Sequence, residues 1–85
     1  MGANFSGANL TNADLESMNL EGADLSNAIL AGAYLDNAQL QLVKTIEGSD
    51  WTDAQLRKDV QKKLCSIAKG TNPKTGADTR ESLNC

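Results

Sequence analysis

Two thiols, Cys65 and Cys85, are the most reactive side chains in this chain of 85 residues, and the sequence contains no histidine. A nucleophilic cysteine or serine needs an adjacent base, usually an imidazole, and none is present. A tetrahedral zinc site needs four ligands, which two thiols without histidine cannot supply. The two cysteines lie too far apart in sequence for a CxxC redox pair. The chemistry left to them is one disulfide, or two separate free thiols. No phosphate-cradling P-loop or GxGxxG occurs. Asp14 and Asp24 have the spacing of a solvated face rather than that of an acid/base pair. The sequence therefore predicts no enzyme, no cofactor and no metal.

Charge divides the chain. Residues 1–56 carry eight carboxylates against one lysine, a net of −7; residues 57–85 carry seven cations against three carboxylates, a net of +4. An acidic first half argues against direct nucleic-acid binding. No apolar run approaches the ~20 residues of a membrane span. Met1 leads straight into a repeat with no signal or transit peptide, so any targeting segment is expected outside this chain.

The elements that position these groups have a period of five. Large apolar centres fall at Phe5, Leu10, Leu15, Leu20, Leu25, Leu30, Leu35 and Leu40. Alanine stands two positions before each centre, except for Met18. Asn or Asp precedes the first five centres, and Gly, Asn or Ser follows two residues after all but the last. Inward positions two residues apart are what an extended segment delivers, and Gly, Asn and Ser are turn formers. No helix has a period of five. The unit is a short extended stretch and a turn, coiled about a thin apolar axis, with stacked coils hydrogen-bonded at roughly 4.8 Å.

The run GANFSGANLTNADL resembles the pentapeptide-repeat proteins, whose motif is A(D/N)LXX. The resemblance implies an all-β solenoid: a right-handed quadrilateral β-helix with four pentads per coil, here about 2.5 coils. Residue n then stacks on n+20, placing Phe5 under Leu25 and Met18 against Ala38. Ile29 and Tyr34 replace Asn or Asp at an outward position, which makes them a candidate contact patch.

The phase slips after Leu40. The next centres are Ile46 and Trp51, so one residue is inserted within QLQLVKTIEG. Thr52-Asp53-Ala54-Gln55 reads two ways. It continues the pentads toward Leu56, and it is also a capping box with Trp51 and Leu56 as a hydrophobic staple. Leu56, Val60, Leu64 and Ile67 follow helical spacing, and Gly70 and Pro73 supply stop signals. These signals predict a β-helix over residues 1–52 and a helical cap over 53–85, with helices at about 53–69 and 79–84. The cap packs through Leu56, Val60, Leu64, Ile67 and Leu83 and shields the open coil.

The segment LCSIAKGTNPKTGADTRESLNC is similar to the C-terminal end of cyanobacterial and thylakoid-lumen pentapeptide-repeat proteins. That resemblance implies a disulfide between Cys65 and Cys85 pinning the tail to the first helix. It also implies an oxidising location, the thylakoid lumen or a cyanobacterial lumen or periplasm. The function expected is a non-enzymatic interaction module for an unknown protein partner, with a homodimer through the N-terminal coil as a further option. The alternatives are an acidic DNA mimic that binds DNA gyrase, or a shortened chain that displays the fold with no function of its own.

Overall fold

The computed structural model describes residues 2–85. The chain returns over itself through single parallel bridges: Asn4, Asn9, Asp14 and Asn19 pair with Asp24, Ile29, Tyr34 and Gln39, each 20 residues on. Each bridge follows one pattern, seen at Asp24. Its N–H donates to Ala3 C=O at 2.9 Å, and its C=O accepts from Phe5 N–H at 2.8 Å. One residue per pentad thus joins two coils, and four such contacts make one circuit.

Between bridges, the chain turns. The residue two after each centre, from Gly7 to Asn37, takes a positive φ between 58° and 73°. The alanine that follows donates its N–H back to the preceding centre, as Ala8 does to Phe5 C=O at 2.9 Å. A type II turn requires positive φ at that third residue, which Gly and Asn tolerate best. Asn or Asp before the centre adds a second brace. The side chains of Asn4, Asn9, Asp14, Asn19 and Asp24 each accept the N–H two residues on, at 2.9–3.2 Å. The repeat's polar consensus is therefore backbone chemistry.

Inside the coil lie two kinds of residue. Leu20, Leu25, Leu30, Leu35, Leu40, Ile46 and Trp51 are all but inaccessible, as are the small residues Ala23, Ala28, Ala33 and Ala38. Leu15 is also buried, while Phe5 and Leu10 of the first coil are half-buried. Met18 is 39% exposed rather than packed inward against Ala38. It lies in the first coil, where the inward column has no coil beneath it and Ala3 is exposed as well.

The third circuit is out of step by one. Asp24, Ile29 and Tyr34 pair with Thr45, Asp50 and Gln55, each 21 residues on. Opposite Asp24, two residues share the work of one: Lys44 N–H donates to Ala23 C=O, while Thr45 C=O accepts from Leu25 N–H. That two-against-one count defines a β-bulge. Its cause is local. Leu42 stands where every other corner has Gly, Asn, Ser or Asp, and it does not enter the left-handed region. A bulky side chain there is costly; the turn still closes through Val43 N–H to Leu40 C=O at 3.3 Å, and the extra residue enters after it, before the bridge at Thr45.

Two helices follow the coil: α1 (Lys58–Cys65) and α2 (Thr79–Ser82). Both are shorter than the sequence predicts. Residues 53–57 are not helical, because the pentad register prevails over the capping box. Asp53 turns a corner with φ 58°, and Gln55 exchanges backbone bonds with Ala33 and Leu35 at 2.8 and 3.0 Å. Leu56 is thus a repeat centre, half-buried, and not the staple of a helix. At the other end of α1, the chain leaves the helix at Ser66 and brings Lys69 C=O to Gly48 N–H at 2.9 Å. α2 stops at Ser82, and Asn84 turns back with φ 61°. Its Asp78 cap does form, accepting Glu81 N–H at 3.1 Å.

Candidate functional site

The last coil ends in backbone groups that a further coil would satisfy. In the second coil, Asn27 N–H, Ala28 C=O and Leu30 N–H bond to Glu47 and Asp50 above them. Their counterparts one level up are Gly48 N–H, Ser49 C=O and Trp51 N–H. All three are met by the tail. Gly48 N–H donates to Lys69 C=O at 2.9 Å. Ser49 C=O accepts the Thr79 hydroxyl at 2.8 Å, and Trp51 N–H donates to the Ser82 hydroxyl at 2.9 Å. Thr79 and Ser82 lie three apart on α2, hence on one face. Two hydroxyls thus stand in for a strand edge, completing the hydrogen bonds without offering a new edge.

Asn72 fills the corner beside them. It is 1% exposed. Its Nδ2 reaches Gly48, Ala28 and Asn27 carbonyls at 3.0, 3.1 and 3.3 Å, and its Oδ1 accepts Lys74 and Thr75 N–H at 2.9 and 3.0 Å. Gly48, at φ 76°, sits over Asn27, whose side-chain amide a Cβ there would overlap. Under the cap, Ser49 takes the place of the inward alanine. Its hydroxyl accepts Trp51 Nε1–H at 2.6 Å and donates to Ile46 C=O at 2.5 Å, so the buried indole is satisfied.

Cys65 and Cys85 are joined, with Cα atoms 5.8 Å apart. Two further bonds lash the tail to α1: Arg80 donates to Cys65 C=O at 2.7 Å, and Gln61 Nε2 donates to Leu83 C=O. The disulfide is open on one side, in a shallow pocket rimmed by Lys58, Lys62 and Arg80. Among the residues expected to pack the cap, Val60, Leu64 and Leu83 are buried, but Ile67 is 38% exposed. It follows the end of α1, so helical spacing no longer governs where it points. Of the candidate patch, Tyr34 is exposed and Ile29 is buried. Ile29 lies in the middle coil, bridged through its backbone to Asn9 on one side and Asp50 on the other.

Two carboxylates are tuned by these contacts. Asp24 is held below its ordinary value of 3.8 by the backbone N–H and then the hydroxyl of Ser26, with Lys44 adding a smaller pull. Burial pushes Asp50 up, but hydrogen bonds from Thr52 and Thr75 outweigh it and leave the group lowered. Both anions are thus favoured in the folded chain. Their stabilisation is complete above the unfolded value and is lost as pH falls through the lower folded value. Thermal stability should be level near neutrality and decline below about pH 4. Asp50→Asn should shrink that acid decline while costing about 1 kcal/mol at neutral pH, because the amide oxygen still accepts from Thr52. Circular-dichroism melts across acid pH check both.

Among the described residues, no group of three or more His, Cys, Asp or Glu could hold a metal ion, and no helix is long and apolar enough to cross a membrane. The arrangement is one of stacked pentads, an acidic coil and a cross-linked C-terminal tail. It defines a β-helix of five-residue repeats. Residues 3–41 match the family model for pentapeptide repeats in eight copies, and they are repeats of that family. The chain is similar to two thylakoid lumenal proteins of Arabidopsis thaliana. It is 52% identical over 40 residues to TL20.3 and 48% identical over 40 residues to the 15 kDa protein 1. Those 40 residues are 47% of this chain, and 14% and 18% of those two proteins. A crystal structure of a pentapeptide repeat protein from the Arabidopsis thaliana thylakoid lumen matches all of this chain and 66% of its own, with 34% identity and a TM-score of 0.58.

Proposed function

We propose that this chain is a non-enzymatic protein-interaction module of the thylakoid lumen, built as a right-handed quadrilateral β-helix of about 2.5 coils closed by a helical cap. The observation that carries the reading is where the polar side chains are spent. Asn and Asp of the repeat brace the turn beside them, and the hydroxyls and amide of the tail complete the last coil. Such a molecule offers a rigid surface rather than a set of converging reactive groups. The lumenal relatives and the disulfide support an oxidising location. Exposed Tyr34 is the side chain on the coil best suited to a partner contact. Pairing of two copies through the first coil belongs to the same reading, since Phe5 and Leu10 there are only half-buried.

The test is affinity capture by the tagged full chain from thylakoid-lumen extract, with Tyr34→Asp alongside. We expect one reproducible protein partner whose recovery falls several-fold with the variant. Absence of any reproducible partner, or turnover of a lumenal metabolite by the pure protein, would overturn the reading.

A further inference from the structure

The slip after Leu40 leaves a surface that regular pentads would not. The displaced corner, residues 41–45, faces the chain at the end of α1, residues 63–69, across a groove of about 600 Å³. Its apolar wall includes Leu42, 66% exposed, and Ile67, 38% exposed, two of the four large apolar side chains that reach solvent among the described residues. Lys44, Lys63 and Lys69 line the same groove. None of them is within ion-pair distance of a carboxylate among the described residues, where the one salt bridge joins Arg57 to Asp59. Leu42 N–H and Val43 C=O also lie in this wall without a protein hydrogen-bond partner among the described residues. Their counterparts at the next corner, Gly48 N–H and Ser49 C=O, are both satisfied by the tail.

We propose that this groove binds an extended acidic peptide segment of a partner protein, one that carries a bulky apolar side chain. The inference deepens the module reading, on which it rests, by assigning the site and the partner's chemistry. Lys63 and Lys69, together with Lys44, which Asp24 engages only in part, call for carboxylates, and the apolar wall between them calls for an aliphatic or aromatic side chain. The free Leu42 N–H and Val43 C=O add one donor and one acceptor, whose complements the backbone of the bound segment can supply. An anionic bilayer fits less well. The apolar side chains line a concavity, and the neighbouring coil, with its excess of carboxylates, would be pressed against a surface of like charge.

The experiment titrates the isotopically labelled full chain with a fluorescein-tagged peptide of alternating glutamate and leucine. Its lysine–leucine counterpart and phosphatidylglycerol vesicles run in parallel. We expect saturable anisotropy for the acidic peptide, amide shifts confined to residues 41–45 and 63–69, and weaker binding as salt rises. Leu42→Ser and Lys63→Glu, both at exposed positions, should each weaken binding roughly tenfold or more. No saturation, shifts elsewhere, or variants that bind as the parent does would overturn the proposal. Vesicle binding without peptide binding would overturn it in favour of a membrane surface. The module reading is separable. If the lumenal partner is still captured by Leu42→Ser and Lys63→Glu at parental levels, the groove is rejected and the module stands. If the peptide binds here but no lumenal partner is ever captured, the groove stands and the module falls.

Discussion

Reducing the Cys65–Cys85 bond lowers the melting temperature by roughly 12–24 °C, and the tail is released before the coil melts. The bond closes a loop with a sequence separation of 20, which in the chain-entropy model contributes about 3 kcal/mol. In a domain of this size, each kcal/mol moves the midpoint by about 4–8 °C. The release is ordered because α2 has only four residues, Thr79–Ser82, far below the length at which a helix is stable alone. Once untethered, its hydroxyls no longer occupy Ser49 C=O and Trp51 N–H. The end of the stack becomes an unpaired edge, which invites association. Amide exchange should therefore rise first at Trp51 and in residues 72–85, while amides paired between coils, such as Ile29 and Tyr34, stay protected. Cys65→Ala with Cys85→Ala should reproduce this without a reductant. An unchanged midpoint on reduction, or simultaneous loss of protection in coil and tail, would show that the cross-link does not hold the end of the stack.

The coil was readable from residue types because each position in a pentad has one physical task. Leucine fills the axis, alanine leaves room for it, and Gly or Asn takes the left-handed corner. The six-residue step to Ile46 was readable as an insertion for the same reason. Its cause also stood in the sequence, as the one corner occupied by a leucine. The start of α1 was misread because Thr52–Gln55 satisfies two patterns at once. Local capping is worth about 1 kcal/mol, whereas the pentad register offers several backbone bonds to the coil beneath. Ile29 was read as outward from its place in the repeat, which is correct for the backbone. Its burial goes with a place between two neighbouring coils, bridged to Asn9 and Asp50, 20 and 21 residues away, which the local pattern does not show. Asn72, Thr79 and Ser82 carried no periodic signal at all. Their role is to end a pattern, and in the sequence they look like ordinary loop and helix residues. Ser49 in an alanine column was the single visible sign that the next residue on that axis, Trp51, needed an acceptor.

These ends explain how so short a stack holds together. A solenoid gains stability from neighbours and loses it at its termini, and with fewer than three coils the terminus is a large share of the whole. The tail adds apolar area from Val60, Leu64 and Leu83 to the coil's core, and with it directional bonds: one backbone carbonyl, two hydroxyls and one amide, each placed on a group of the last coil. The bulged side of the same coil has no such cover at Leu42 and Val43. The groove and the cap are thus two outcomes of one geometric fact, a final coil whose sides are not equally closed.

Asn72→Ala should cost on the order of 3 kcal/mol, the largest loss expected from any polar substitution in this chain. The amide is buried, and its orientation is set by its surroundings: three carbonyls face Nδ2 and two N–H groups face Oδ1. Two amide protons serve three acceptors, so one is shared. The side chain joins the second coil at Asn27 and Ala28, the third at Gly48, and the loop at Lys74 and Thr75. Alanine leaves the buried Gly48 carbonyl without a partner and removes the acceptor of both loop N–H groups. Asn72→Asp separates hydrogen bonding from shape. The carboxylate keeps the volume and still accepts from the loop, but turns an anionic oxygen toward three carbonyls. It should be at least as destabilised as alanine at neutral pH. It should recover in part as acid protonates the group, because the acid form regains one donor. The parent moves the other way, losing stability as Asp24 and Asp50 are protonated. Urea midpoints of the three proteins at about pH 7, 4.5 and 3 resolve the two trends, with the parent level between the first two and falling only at the third. An Asn72→Asp protein as stable as the parent near neutrality would mean that the carbonyls of the last two coils do not depend on this amide, and that the corner is held by packing alone.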